Sequence, residues 1–459
     1  MCLYEIRQQL WQDNCNSIRQ QGIFNIVQVN KSLLRIFGSP KMGALLFLGF
    51  SSGLPLYLTS QTLQAWLTKE GISLAAIAAF SLVKLPYSLK FLWSPLLDRF
   101  VPPFLGRRRG WLVIIQVALL LSIAAMALQN PSQGLQPFII AAVAVAFFSA
   151  SQDILVDAYR TDVVEVEERG AGASIYLLGY RIAILVTGYV TLFLADRMPW
   201  QAVYLLMSLL MLVGVVSSIF APEPVLRDRP PQTLSAAVKL PFIEFFQRHG
   251  WLQGLLILIF IVIYKLGDSL LKNVSTPFLL DKGLHFTQTD IAFPGALGIF
   301  ATIVGTLAAG AIMTKIGVNR SLWIFAILQA VGNLAFFALA VVGKNFYLML
   351  AAVNIEQFCA GLETAAFVAF LMSLCNQSFS ATQYALLSSL QAFSRDIVTA
   401  PAGTWAQATG WSTFFLLTAI AALPGLLLLP FFAPWNPKPV VVLSRPGLDD
   451  EEEDIWGIK

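Results

Sequence analysis

Charge is scarce in this chain. Of its 459 residues only 12% are Asp, Glu, Lys or Arg, while 57% are hydrophobic and the mean hydropathy is +0.70; soluble domains carry about 25% charged residues. That imbalance excludes an ordinary water-soluble fold. Histidine is rarer still, with His249 and His285 standing alone, and the four cysteines fall as Cys2 and Cys15 in a polar leader and Cys359 and Cys375 in an apolar run. So few groups form no metal-ligand spacing and no disulfide framework, and no metal or cofactor is expected. The net charge of +4 is too small to point to nucleic acid. Residues 1–40 also lack a long apolar core followed by a small-residue cleavage site, which argues against a secretory signal peptide. Within them, Leu10-Trp11 and Ile23 to Val27 fit an amphipathic surface helix, and an upstream-extended start or a disordered leader fits them as well.

Long apolar runs dominate the rest. About twelve have the roughly 20 residues that a bilayer core demands, over 43–67, 73–97, 111–129, 138–159, 172–195, 200–221, 251–275, 290–313, 321–342, 346–374, 382–404 and 411–433. The expected fold is an all-α membrane protein of two pseudo-symmetric six-helix bundles. Its parts are a leader (1–40), a first bundle (41–221), a linker with an amphipathic helix (222–250), a second bundle (251–433) and a tail (434–459). The tail ends in Asp449-Asp450-Glu451-Glu452-Glu453-Asp454, where packed like charges favour solvation. Basic residues collect on one side of the spans, at Lys31, Arg35, Lys41, Arg169, Arg227, Arg229, Lys239 and Arg248 as well as in two hairpins. By the positive-inside rule both termini face the cytoplasm.

Those hairpins recur at corresponding places. The first reads Leu97-Asp98-Arg99, then Gly106-Arg107-Arg108-Arg109; the second reads Gly310, then Thr314-Lys315-Ile316-Gly317 and Arg320. The repeat suggests duplication, an architecture that usually moves solutes. It also places Gln152 against Glu363 and Tyr180-Arg181 against Ser394-Arg395.

Ionisable groups inside spans are costly and are functional candidates by default. Lys84, Tyr87 and Lys90 share one face of the second span by their spacing of three; Lys84 counts to mid-membrane, whereas Lys90 is near enough to an interface to snorkel. The fourth span offers Gln152, Asp153 and Asp157. Asp157 reads as an interfacial cap or a partner of the first hairpin, and Asp153, deeper and one turn away, is the first candidate for exchanging a proton. Lys265, Asp268 and Lys272 follow at helical spacing in the seventh span, either lining a cavity or neutralising one another. Asp268, Glu356 and Glu363 are the other proton-coupling candidates. Arg181, Gln357 and Gln391 add further polar groups. Ser51, Ser52 and Gln61 belong to a hydroxyl- and amide-rich first span able to bond a polyhydroxylated ligand or to mediate helix packing.

The hairpins resemble the signature loop of the major facilitator superfamily, although Thr314 stands where an acid is usual. Longer strings narrow the resemblance: GFSSGLPL from Gly49, KFLWSPLLDR from Lys90, SASQDILVDAYRTD from Ser149, EERGAG from Glu167, YKLGD from Tyr264, and LCN with SFSATQ from Leu374. As a set, over about residues 32–433, they are similar to the AmpG family of muropeptide permeases. The resemblance implies a transporter, not an enzyme. Its solute would be N-acetylglucosaminyl-anhydro-N-acetylmuramic acid with or without stem peptide, carried from periplasm to cytoplasm across the bacterial inner membrane by proton symport. Lys84, Lys90, Arg181 or Lys265 would meet carboxylates of that solute, with Tyr87, Gln61, Gln152, Gln357 and Gln391 around it. Asp98, Arg99, Arg107, Arg108 and Arg109 would form a cytoplasmic gate. Expected partners are thus a sugar-peptide solute, protons and the lipid bilayer, and the expected unit is a monomer. An acetyl-coenzyme A carrier is the alternative within transporters, and a non-transporting receptor of the same fold is another; an intramembrane enzyme lacks a visible nucleophile or metal cluster.

Overall fold

The computed structural model describes residues 37–73, 80–131, 134–224, 233–280 and 284–435. Almost all of the leader, nearly all of the tail, residues 74–79 of the second span and Pro230-Pro231 of the linker lie outside these residues. Among the described residues the chain is built of helices and turns without a strand, and nine helices are long and apolar enough to cross a membrane. One of them contains two expected spans, because Gln288–Val342 runs together through a corner at Gly317, where φ is 81°. A left-handed corner of this kind favours glycine.

Two regions fall outside the nine for identifiable reasons. The second span is broken over 80–99 into the turns Phe80–Lys84 and Lys90–Leu92 and the short helices Leu85–Leu89 and Ser94–Arg99, with Pro86 and Pro95 each opening a helix. Proline removes an amide donor and is best accommodated in a helix's first turn. The eleventh, Ser380–Thr399, is regular but rich in Ser, Thr, Gln, Arg and Asp. Other spans are longer or more broken than their apolar runs. The first is Pro40–Leu58 and Gln61–Lys69, interrupted at Thr59-Ser60, whose hydroxyls bond back to Pro55 O and Leu56 O. The fourth extends to Leu135–Val163, the seventh divides around Lys265 into Trp251–Ile263 and Leu266–Leu279, and the tenth is Phe346–Leu374.

Close approach of small residues seats the helices. A Cβ on Gly49 would lie 2.1 Å from Tyr176 O and one on Gly179 would lie 1.9 Å from Leu46 O, so the first span (40–69) and the fifth (Val166–Ala195) touch backbone to backbone. Buried polar side chains supplement this packing. Gln116 bonds Ser51 and Ser218, and Gln152 reaches Ser51 and Ser52, at 2.7–3.5 Å. The linker helix Leu234–His249 is N-capped by Thr233 and buries Ala237, Pro241 and Phe245. Its Glu244 accepts from Asn376 Nδ2 and Gln383 Nε2, which fastens it to the start of the eleventh span.

Candidate functional site

The side bearing both basic hairpins is closed by polar contacts between the two halves. Asp98 is fully buried at the end of the second span. Its Oδ1 accepts from Arg107 Nη2 at 3.0 Å and from Arg108 Nη1 and Nη2 at 3.1 Å, while its Oδ2 accepts from Thr382 N at 2.8 Å and Thr382 Oγ1 at 2.7 Å. Thr382 lies in the first turn of the eleventh span, so a carboxylate from one half caps a helix of the other. Such a cap satisfies an otherwise orphaned amide and meets the positive end of the helix dipole. The two arginines extend the closure: Arg107 Nη2 donates to Ser378 O at 2.9 Å, and Arg108 donates to Ser380 Oγ at 2.6 Å and Asp162 Oδ2 at 2.7 Å. Asp98, Arg108 and Asp162 are all buried, and satisfied buried charges of this kind are strongly destabilised by loss of one partner.

Asp157 is not a cap for the first hairpin. It pairs with Arg160 at 2.8 Å and with Lys90 at 3.5 Å, because Lys90 turns inward and is buried instead of snorkelling. Arg160 then donates to the Tyr384 hydroxyl of the other half at 2.7 Å and lies 4.2 Å over the Tyr176 ring. Arg109 does not join the contacts between halves: it donates to Ser218 O and Ile219 O at the end of the sixth span. Arg99 lies over the Phe100 ring at 5.2 Å.

Deeper in the protein a second group of charges gathers in the C-terminal half. Lys272 Nζ is 2.8 Å from Asp268 and 3.6 Å from Glu356, while Lys265 Nζ is 3.7 Å from Asp268, 4.0 Å from Glu363 and 2.7 Å from Thr364 Oγ1. Gln329 Nε2 approaches Asp268 at 3.4 Å. The break in the seventh span at Lys265 lets residues on both sides of it reach the tenth span. All three acids are buried, whereas the Lys272 side chain keeps 38% of its surface accessible. Arg181, from the fifth span of the other half, is within electrostatic range of Lys265 and Lys272. The two lysines and the three acids all belong to the C-terminal half, and Arg181 alone approaches them from across the boundary.

Asp153 stands apart from that cluster. It lies within electrostatic range of Lys90, Asp157 and Arg160 and of Tyr87, Tyr176 and Tyr180, and its Oδ1 is buried without a hydrogen-bond partner. Lys84 and Gln61 are exposed, and Gln391 is half-buried. Gln152 and Gln357 both engage neighbouring helices. Gln152 is fully buried against the first span, and Gln357 accepts from Thr302 Oγ1 at 3.1 Å in the contact of the tenth span with the eighth. Ser51 and Ser52 are likewise engaged between helices. The sequence reading did not single out Arg160, Asp162 or Thr382, although all three lie within the strings SASQDILVDAYRTD and SFSATQ.

Comparison with known proteins accounts for this arrangement. The Major Facilitator Superfamily matches residues 42–395. The Anhydromuropeptide permease of Escherichia coli (strain K12) is 49% identical over 404 residues, spanning 87% of this chain and 81% of that protein. The chain belongs to the AmpG family of the major facilitator superfamily. A Haemophilus influenzae protein is 40% identical over 404 residues, 86% of this chain and 95% of that one. At the level of fold, AmpG-type architecture is shared with the proton:xylose symporter XylE (TM-score 0.66, 13% identity, 87% of this chain and 96% of that one). FucP in its outward conformation is similar too (TM-score 0.66, 12% identity, 88% and 100% coverage). The chain is therefore a multi-pass membrane transporter of this family and not an enzyme.

Proposed function

We propose that this AmpG-family transporter carries anhydromuropeptides across the inner membrane into the cytoplasm by alternating access coupled to proton entry, with the basic hairpins and both termini on the cytoplasmic side. The 49% identity to the E. coli permease over most of both chains carries this reading, and the charges inside the halves support it. In this reading the contacts of Asp98, Arg107 and Arg108 with residues 378–382 form the closed cytoplasmic gate. Arg99 and Arg109 flank the gate, and Arg109 holds the sixth span in place. The solute, with carboxylates, sugar hydroxyls and an amine, enters between the halves. Arg181 and Lys265 meet its carboxylates, Lys84, Tyr87, Gln61 and Gln391 surround it, and Gln152, Gln357 and Lys90 shape the site from behind.

A solute carboxylate arriving between Arg181 and Lys265 would compete with Asp268 and Glu363 for the lysine, which links binding to the protonation of nearby acids. Asp153 takes the coupling role, since a buried carboxyl oxygen without a donor is relieved by receiving a proton. Asp268, Glu356 and Glu363 tune the opposite wall. The decisive measurement is uptake of labelled anhydromuropeptide into vesicles with and without a protonophore. Uptake indifferent to the protonophore removes proton coupling, and no uptake at all removes the solute assignment. Asp153→Asn should abolish accumulation under an imposed pH gradient while sparing downhill exchange; continued accumulation moves coupling to the acids of the second half.

A further inference from the structure

The polar groups around Asp153 differ on its two sides along the spans. Toward the basic hairpins stand charges: Lys90 and Arg160 both pair with Asp157, one turn further along the fourth span, and Asp153 faces all three. Tyr176 and Tyr180 face it from the fifth span. Toward the opposite side stand hydroxyls. Ser149 lies one turn before Asp153 and is 1% exposed. In the same helix Ser151 and Thr161 turn back to Phe147 O and Asp157 O, each at 2.8 Å, as helical hydroxyls commonly do. Ser149 does not. Its buried Oγ approaches the buried Tyr87 hydroxyl, and that hydroxyl approaches Thr59 at the break in the first span, without either closing a well-formed hydrogen bond. Thr59 Oγ1 donates to Pro55 O at 3.0 Å, which leaves its oxygen able to accept. Just beyond the break, Gln61 and Gln64 are exposed. A line of uncharged groups that both donate and accept therefore runs from the break to the unpartnered Oδ1 of Asp153.

We propose that the proton taken up by Asp153 reaches it through these hydroxyls, from the break at Thr59 by way of Tyr87 and Ser149, inside the first half. The inference rests on the coupling role proposed above for Asp153. A proton from water beyond the break joins the Tyr87 oxygen on its Thr59 side as Tyr87 passes its own proton to Ser149 Oγ, and Ser149 passes its own to Asp153 Oδ1. Each hydroxyl ends with one proton, as it began, and the carboxylate has gained one. Hydroxyls suit this task because each is donor and acceptor at once, and polar chains of this kind inside spans mark proton routes. Lys90 and Arg160 are fixed cations that repel an excess proton at short range. The side of Asp153 from which the proton arrives is accordingly the side of the hydroxyls, away from the basic hairpins.

Ser149 is the link to test, because it belongs to neither the solute site nor the gate. The full chain, Ser149→Ala and Ser149→Thr are reconstituted in vesicles and compared in two assays with labelled anhydromuropeptide. One is uptake driven by an imposed pH gradient; the other is exchange at equal pH, which carries solute back and forth without discharging the proton. Ser149→Ala should slow gradient-driven uptake at least about tenfold while exchange stays within about twofold, in keeping with loss of a positioned proton carrier. Ser149→Thr keeps the hydroxyl and should recover most of the gradient-driven rate. Uptake by Ser149→Ala at the parental rate, an equal loss in both assays, or no recovery in Ser149→Thr would overturn the relay while leaving Asp153 as the coupling acid. Parental uptake that ignores a protonophore would remove the coupling reading, and the relay with it.

Discussion

The two hairpins occupy matching places in the two halves, yet the halves meet there by different means. At the first, Asp98 reaches across to cap the eleventh span at Thr382, with Arg107 and Arg108 bonding Ser378 O and Ser380 Oγ. At the second, Thr314 turns back to its own helix at Ala311 O, and the fifth span opposite closes its own N-terminus through the reciprocal Glu165 and Glu168 capping box, with Lys41 bridging both acids. What touches across the halves at this second place is uncharged and close-packed on glycine: Met313 against Gly170, and Gly310 against Ser174. One contact is directional and charged, the other steric. A duplicated element can thus keep its position while its two copies divide the work, because a helix start that caps itself needs nothing from its neighbour.

Substitutions should separate these two modes, beginning with the largest effect. Asp98→Asn leaves Arg107 and Arg108 short of a buried carboxylate and should weaken the closed arrangement by about 3–5 kcal/mol. Initial uptake should fall by at least about a hundredfold with little change in solute affinity by equilibrium binding; a severe loss of affinity would place Asp98 in the binding site instead. Gly170→Ala comes next. Its Cβ would sit 2.5 Å from Met313 Cβ, an overlap costing about 1–3 kcal/mol, and Met313→Gly in the same chain, which removes that Cβ, should recover part of the uptake if the contact is steric.

Tyr384→Phe removes the acceptor of the Arg160 bond between the halves, leaving Asp157 to hold the guanidinium. A loss of about 1.5 kcal/mol is expected, read as roughly tenfold faster labelling of a cysteine placed at Ser380; labelling at the parental rate would show that the bond does not help closure. Thr314→Asp should matter least. Although it restores the acid usual for the superfamily's hairpin, the fifth span is already capped, so uptake should stay within about twofold, consistent with surface changes of about 0.5 kcal/mol. A large gain would mean that the second hairpin also closes by charge.

The legibility of the chain followed depth and distance. Apolar runs located the spans, because hydrophobic length acts within a few residues, but the breaks at Pro86 and Pro95 fell inside an expected continuous span over 73–97. The ionic repeat Lys265, Asp268, Lys272 was readable for the same reason. Partners were not: Lys90 looked able to snorkel and Asp157 looked like a cap, yet they pair with each other inside the first half. Gln152 and Gln357, expected beside the solute, also bond neighbouring helices.

The sequence by itself determined that this chain lives in a bilayer, that its spans fall into two related sets and that their charges concentrate at one side and in a few helices. Hydrophobic burial and the cost of charge in lipid operate on composition alone, so those features need no knowledge of the packed fold. Only the tertiary structure decided that Asp98 would cap a helix 284 residues away and that Arg181 would complete the charge balance of the other half. Those choices depend on helix rotation and depth. In a span that is apolar on nearly every face, periodicity does not record them, and close packing against particular neighbours does.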